Sequence, residues 1–205
     1  MHSHPGESVT YPSSSNQQPG PLIAISATFT ADPVAESLSF WSREVALDFT
    51  VKFAPYNQVF QQILDPGSSL ALNRDGVNVI LVRLQDWALD HLEADVEHFI
   101  AGLHSVAPGH GAPFIVCICP CSPEYLEDPA RAALVARLQD ALAFGLHDLP
   151  TVHLITPADI LRLYPVMDYY DAQSDQMGHI PYTPLFFAAL GTSLARRIHA
   201  IRSTP

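Results

Sequence analysis

Short apolar runs alternate with amphipathic stretches along most of this chain. Three runs, at 22–26, 77–84 and 113–119, are almost continuously apolar and rich in β-branched residues. This pattern is typical of strands that are buried on both faces of a parallel sheet. Two shorter runs, at 49–53 and 151–155, complete a set of five predicted strands.

Helix-start signals lie between these runs. Asp32-Pro33 and Asp128-Pro129 each place a capping side chain before a proline, a combination that favours the first turn of a helix. We predict helices over these segments: 34–45, 57–64, 87–103, 129–146, a short one that starts at Thr156-Pro157, and 184–201.

The alternation predicts an α/β fold, a three-layer α/β/α sandwich around a five-stranded and mostly parallel sheet. Right-handed crossovers leave few topologies, and among them a flavodoxin-like strand order is favoured. We expect residues 21–205 to form this single domain. Residues 1–20 are rich in Ser, Pro, Gly and Gln, which predicts a disordered leader.

Composition and charge exclude several functional classes. Ten Lys and Arg against 21 Asp and Glu give a formal net charge of −11, which argues against a nucleic-acid groove or an anionic membrane surface as partner. No apolar run is long enough to cross a membrane, and the N-terminus lacks the features of a secretory signal. The three clustered cysteines do not suit a disulfide framework, so we expect a cytoplasmic protein.

The candidate chemistry lies where the strands end, because ligands of such sheets bind outside the carboxyl ends of the strands. Ser26, Thr28 and Thr30 follow the first run, where the amides of the next helix can stabilise an anion. Ser26 and Thr28 are candidate nucleophiles, and the alternative for these hydroxyls is helix capping. The chain has no glycine-rich phosphate motif and no G-x-S-x-G elbow, so we expect no nucleotide cofactor.

Asp175 and His179 form a second signal, four residues apart, in a predicted loop before the last helix. Such an aspartate can orient an imidazole and stabilise its cation, as acyl transfer requires. The alternative is a structural histidine that binds a backbone carbonyl.

Cys119 ends the fourth run, where a histidine could activate its thiolate as a nucleophile, whereas Cys117 is typical of a core residue. The C-x-C-x-C spacing does not suit structural zinc, so we expect no metal. Asp86 ends the third run and could hold a substrate amine or support His179; alternatively it caps the helix predicted from 87 onward. The candidate substrate-binding residues are Asn57, Gln85, Asp86, Trp87 and Tyr182.

Four segments resemble the N-terminal domain of FkbH-type proteins, a module found in nonribosomal peptide and polyketide synthesis systems. They are 26–33 (SATFTADP), 53–62 (FAPYNQVFQQ), 81–87 (LVRLQDW) and 178–192 (GHIPYTPLFFAALGT). The resemblance covers essentially 22–201 and implies an SGNH-hydrolase-like fold. Full FkbH-type proteins continue into a phosphatase-like domain, whereas this chain stops at Pro205, so we expect no phosphoryl chemistry of that kind from it.

The same resemblance implies positions for a catalytic set. In SGNH enzymes a nucleophilic serine follows the first strand, an asparagine follows the third, and Asp-x-x-His precedes the last helix. These positions correspond to Ser26 or Thr28, to Gln85 or Asp86, and to Asp175 with His179. The chain departs from the pattern because it lacks Gly-Asp-Ser and the asparagine, and its Asp–His spacing has one extra residue.

Three functions remain open on these grounds. The first is acyl or aminoacyl transfer or hydrolysis on a thioester carried by the phosphopantetheine of an acyl or peptidyl carrier protein, without a further cofactor. His179 would be the base, Asp175 its orienting carboxylate, and Ser26, Thr28 or Cys119 the nucleophile. The second is a docking module that positions a carrier protein or partner enzyme, and the third is a metal-dependent enzyme at the same edge. Basic contacts for an acidic carrier are limited to Arg43, Arg196 and Arg197.

Overall fold

A computed structural model describes residues 20–44 and 49–203 of the chain. One five-stranded sheet forms its centre. All strand pairs are parallel and the strand order is β2-β1-β3-β4-β5. The α/β fold with a flavodoxin-like order is therefore confirmed. The strands are Leu22–Ala27 (β1), Thr50–Phe53 (β2), Val77–Arg83 (β3), Phe114–Cys119 (β4) and Val152–Ile155 (β5).

Nine α-helices are found in the described part of the chain. They are Val34–Glu44 (α1), Val59–Leu64 (α2), Ser69–Leu72 (α3), Leu92–Val106 (α4), Pro123–Leu126 (α5), Pro129–Leu146 (α6), Pro157–Leu163 (α7), Ala172–Gly178 (α8) and Pro184–Ser203 (α9). The predicted starts at Asp128 and Thr156 are confirmed, since both side chains accept hydrogen bonds from the first turns of α6 and α7.

Two predictions about elements were wrong. The helix predicted from Trp87 begins at Leu92, because Leu84–Asp86 form a 3₁₀ turn and the chain runs irregularly until α4. The segment around Asp175, predicted as a loop, is helix α8, and the Asp171 side chain caps it by accepting from Ser174 N at 2.9 Å.

Helices cover both faces of the sheet, and each face has its own core. On one face α1, α7 and α9 pack through residues such as Leu38, Ile160 and Phe186. On the other face α2, α4 and α6 pack through residues such as Phe99 and Leu142. Every residue of β3 is buried, as expected for a central strand that is covered on both faces.

Helices α1 and α9 approach each other closely at Gly191. A Cβ atom at this position would lie 2.5 Å from the Ser37 Cβ, so only glycine permits the observed separation. Next to it, Trp41 Nε1 donates to Thr192 Oγ1 at 3.0 Å. This hydrogen bond joins the two helices, which together cover part of one face of the sheet.

The predicted leader, residues 1–20, lies outside the described residues apart from Gly20, and the predicted end of the first helix at Val45 does too. No helix in the ranges 20–44 and 49–203 is long and apolar enough to span a bilayer.

Candidate functional site

A buried arginine lies where β3 ends. The Arg83 side chain is 4% exposed, and its Nη1 and Nη2 donate to the two Asp175 carboxylate oxygens at 2.6 and 3.1 Å. Its Nε donates to Asp86 Oδ1 at 2.8 Å. Because an unpaired charge is costly to bury, these two carboxylates are what allow a guanidinium at this position.

Two hydroxyls complete this group, which we call the Arg83 cluster: Thr28, Arg83, Asp86, Tyr170 and Asp175. The fully buried Thr28 hydroxyl donates to Asp86 Oδ2 at 2.7 Å and accepts from Arg83 N at 3.0 Å. Tyr170 donates its hydroxyl proton to Asp175 Oδ2 at 3.0 Å. Both oxygens of both carboxylates therefore have hydrogen-bond donors inside the cluster.

Burial and hydrogen bonding shift the pKa values of Arg83 and Asp86 in opposite directions. Burial lowers the pKa of Arg83, but the hydrogen bonds to Asp175 and Asp86 outweigh it and hold that pKa above its ordinary value. Burial raises the pKa of Asp86, and the hydrogen bonds from Arg83 and Thr28 oppose that rise. The cluster thus sets two carboxyl groups against one guanidinium.

An exposed aromatic pair stands beside the cluster. His179 follows α8 with a left-handed backbone (φ 52°), a conformation that histidine adopts more readily than most residues. Its imidazole stacks on the Tyr56 ring, with 5.4 Å between ring centroids. Burial raises the pKa of Tyr56, and so does the nearby charge of Asp86, which places this ring within the field of the cluster.

The structure brings some predicted catalytic residues together and separates others. Thr28, Asp86 and Asp175 meet around Arg83, as the parallel topology implies. The Asp175 carboxylate binds Arg83 and Tyr170, and among the described residues no hydrogen bond joins it to the His179 imidazole.

Ser26 and Cys119 lie in the core. Ser26 is 1% exposed, and its Oγ has no hydrogen-bond partner in the described part of the chain. Cys119 is also 1% exposed, and burial raises the pKa of its thiol well above the ordinary value. Such a thiol is protonated at neutral pH, which removes the thiolate that nucleophilic attack requires.

Of the predicted substrate-binding residues, one is exposed, two are half-buried and two are buried. Asn57 is exposed and has a left-handed backbone, and its N–H donates to Ala27 O at 3.2 Å. Gln85 and Asp86 are half-buried, and Gln85 Oε1 accepts from Ser122 N. Trp87 packs in the core against Phe60 and Phe99, and the buried Tyr182 donates its hydroxyl proton to Pro120 O at 2.8 Å.

Sequence reasoning did not identify Arg83, Tyr56 or Tyr170. One signal was present: Arg83 is the only charged residue in the otherwise buried run 77–84, and a charge in such a position needs partners nearby. No group of three or more His, Cys, Asp or Glu within the described ranges is arranged to hold a metal ion.

No protein-family model matches the sequence, and no curated protein matches it. In structure the chain is similar to the N-terminal part of BF1531 from Bacteroides fragilis, which contains a phosphatase domain and was solved in complex with Mg. The TM-score is 0.71 at 17% identity, over 90% of this chain and 53% of that chain.

The chain is also similar to the salicylyl-acyltransferase SsfX3 from a tetracycline biosynthetic pathway. The TM-score is 0.52 at 16% identity, over 93% of this chain and 57% of that chain. The chain thus spans little more than half the length of each of these structures. At these identities the two likenesses establish a shared α/β fold.

Proposed function

We propose that this chain is a binding module that positions an acyl- or aminoacyl-loaded carrier protein in natural-product biosynthesis. The observation that carries the proposal is the use of Asp175 by Arg83 and Tyr170. In a nucleophile–histidine–aspartate relay the carboxylate binds the imidazole, which in turn binds the nucleophile. Here the carboxylate is occupied and the His179 ring stacks on Tyr56, an arrangement that favours binding over acyl-enzyme chemistry.

Burial of the candidate nucleophiles supports the same conclusion. Ser26, Thr28 and Cys119 are each at most 1% exposed. A covalent intermediate requires the nucleophile to approach the thioester carbonyl to within about 3–3.5 Å. A substrate could not come this close to any of the three without displacing core or cluster residues.

Exposed apolar side chains on the connections that follow the strands support a docking role. Met167 is 91% exposed and Met177 is 80% exposed, and both come from the segment between α7 and α9. Large exposed apolar surfaces commonly mark interaction sites, and methionine adapts its shape to a partner. Five exposed apolar residues lie on these connections or at the start of the helix that follows them. We call them the edge residues: Tyr56, Leu89, Met167, Met177 and Leu185.

The identity of the partner rests on the resemblance of the sequence to FkbH-type domains, which belong to carrier-protein-based synthesis. The shared fold with an acyltransferase of a tetracycline pathway is consistent with this setting. The acidic charge of the chain limits the partner, because an acidic carrier would be repelled except where apolar contact or a local basic patch offsets the repulsion.

A second candidate function is direct acyl transfer without a covalent intermediate. The exposed His179 imidazole stands beside the cluster and is free to accept a proton from water or from an amine that attacks the thioester. This function requires neither a nucleophile on the chain nor a bond between His179 and Asp175.

The test combines binding and mass measurements on the full chain with acyl-loaded carrier protein. We expect saturable binding that Met167→Lys/Met177→Lys weakens, because a charge would be buried in the contact. Phe144→Lys is the matched control, since Phe144 is 79% exposed but lies on α6. We also expect an unchanged intact mass and an intact acyl-carrier.

Other outcomes decide between the candidates. A mass adduct on the chain would contradict both candidates and restore a covalent mechanism. Faster unloading of the carrier, lost in His179→Ala, would support direct transfer. If the loaded carrier neither binds saturably nor is unloaded, both candidate functions are contradicted.

A further inference from the structure

A small cavity of about 220 Å³ lies between α7 and α9, beside the end of β5. It does not overlap with the Arg83 cluster or with the edge residues. Its lining combines two arginines, one aspartate and one serine with apolar residues: Ile155, Asp159, Leu163, Ser193, Arg196, Arg197 and Ala200.

Ser193, one of the residues that line this cavity, has a buried hydroxyl without a hydrogen-bond partner among the described residues. Ser193 is 7% exposed, and its Oγ makes no hydrogen bond within the described residues. Serine and threonine inside helices commonly donate to the carbonyl one turn earlier, and the adjacent Thr192 does so to Ala188 O at 2.7 Å. A buried hydroxyl without a partner costs free energy that a ligand with an acceptor atom would recover.

Two guanidinium groups flank the same cavity. Arg196 is held by the hydrogen bond from its Nη1 to the Tyr164 hydroxyl oxygen, at 3.2 Å. The Arg197 side chain makes no hydrogen bond or ion pair in the part of the chain that the structure describes. In a chain of net charge −11, four of the ten Lys and Arg residues lie on α7 and α9: Arg162, Arg196, Arg197 and Arg202.

One carboxylate, that of Asp159, also lines the cavity, and it is already engaged. Asp159 Oδ2 accepts from Thr156 N at 3.0 Å and from Thr156 Oγ1 at 2.8 Å, and Arg162 is 3.4 Å from Oδ1. His153 adds no charge at neutral pH, because burial lowers its pKa and the nearby Arg197 lowers it further. The charges at the cavity are therefore positive in sum.

We propose that this cavity binds the phosphate group of a small ligand, with Arg196 and Arg197 as its charged donors and the Ser193 hydroxyl as its buried donor. Guanidinium groups match phosphate oxygens in a planar, two-bond geometry, and a serine hydroxyl can rotate to donate to a third oxygen. The cavity volume is below the range of about 300–1,000 Å³ that is usual for drug-sized ligands, so it suits a phosphate and a few attached atoms. The proposal does not depend on the proposed docking function.

The test is a titration of the ¹⁵N-labelled chain with inorganic phosphate at low ionic strength. We expect saturable shifts of the amide signals of Ser193, Arg196 and Arg197. Arg196→Gln/Arg197→Gln should raise the dissociation constant roughly tenfold or more, as expected for the loss of hydrogen bonds to a charged group. Arg202→Gln is the matched control, since it removes an arginine from the same helix outside the cavity.

Two results would overturn the proposal. One is the absence of saturable shifts at these three amides. The other is an equal effect of Arg202→Gln and of the cavity variants, which would indicate only the general positive charge of the helix.

Ser193→Ala tests the buried donor separately from the charges. We expect roughly tenfold weaker phosphate binding together with unchanged or higher thermal stability, because the variant removes a hydroxyl that lacks a partner. An unchanged phosphate affinity would contradict the role of Ser193.

The source of the phosphate is distinguished by comparing phosphopantetheine, pantetheine and inorganic phosphate. Tighter binding of phosphopantetheine than of phosphate, with no binding of pantetheine, would identify a carrier arm as the ligand. Equal affinities for phosphopantetheine and phosphate would identify the phosphate group alone. Failure of all three probes would overturn this proposal and leave the docking function standing, since that function is measured with variants of the edge residues.

Discussion

Arg83 determines which side chains at the end of β3 remain available to a ligand. Because its guanidinium uses the carboxylates of Asp86 and Asp175, the exposed His179 and Tyr56 are left as the polar groups beside the cluster. The sequence places Asp175 four residues before His179, which suggests a dyad. The cation that Asp175 binds, Arg83, is 92 positions away in the chain, a separation at which no local pattern indicates a contact.

Replacing Arg83 should destabilise the fold strongly. Arg83→Met removes the cation from the buried Asp175 and the half-buried Asp86 carboxylates, so we expect a loss of about 3–5 kcal/mol in the free energy of unfolding. Urea denaturation measures this loss. Arg137→Gln removes an exposed ion pair with Glu93 and should cost less than about 1 kcal/mol. A loss for Arg83→Met as small as that of this control would contradict the importance of the cluster.

The cysteines should be unreactive in the folded chain. All three are buried, and burial raises the pKa of Cys119 well above its ordinary value and that of Cys121 to about 11. We therefore expect a colorimetric thiol reagent at pH 8 to label no more than a trace of the native protein, and three thiols per chain after denaturation. Rapid labelling of one thiol in the native protein would return Cys119 to the list of possible nucleophiles.

At the scale of secondary-structure elements, the strands and the capped helices were the most predictable parts. Continuous β-branched runs identify β1, β3 and β4, because strands covered on both faces need no polar alternation. Asp128 and Thr156 mark the starts of α6 and α7 because their side chains bind amides of the first turn. The error at Trp87 has a tertiary cause: the apolar period continues through this segment, but the packing of Trp87 against Phe60 and Phe99 holds it in an irregular connection.

The capping box of α7 makes the stability of that helix depend on pH. Hydrogen bonds from the Thr156 backbone and side chain hold the pKa of Asp159 below its ordinary value of 3.8. The ionised carboxylate therefore stabilises the folded chain above that pH, and the contribution is lost as the pH falls through the folded-state pKa.

Asp159→Asn should thus lower the free energy of unfolding at pH 7 by roughly 0.3–1.5 kcal/mol, the range for a helix cap. The difference from the wild type should shrink as the pH approaches 3, as followed by thermal unfolding at several pH values. Asp140→Asn, at an exposed position on α6, is the control. A difference that persists unchanged at pH 3 would show that the effect does not arise from the charge of Asp159.

At the scale of the whole molecule, the topology placed the candidate site more reliably than any motif did. A parallel sheet brings all carboxyl ends of its strands to one edge, so the meeting of Thr28, Asp86 and Asp175 follows from the strand order. The pairing among these groups depends on side-chain packing across three connections. The sequence did not predict that packing.

The net charge of the molecule predicts an unusual salt dependence for docking. A chain of charge −11 repels an acidic carrier, whereas contact through the apolar edge residues is not weakened by salt. We expect binding of an acidic acyl-carrier to tighten as the ionic strength rises from about 0.01 M to about 0.15 M, because the repulsion is screened. Affinities measured by titration at several salt concentrations test this. Weaker binding at higher salt would instead indicate a charge-paired contact, for which Arg43 is a candidate.

The close contact between α1 and α9 at Gly191 has a consequence for synthesis of the protein. Helix α1 is translated roughly 150 residues before α9, the helix it packs against. Strand β1, whose apolar face both helices cover, is translated before α1. Until α9 has been translated, this face of the forming sheet lacks one of the helices that cover it. We therefore expect chaperones to bind the nascent chain until α9 has been translated, and substitutions at Gly191 should lower the yield of soluble protein.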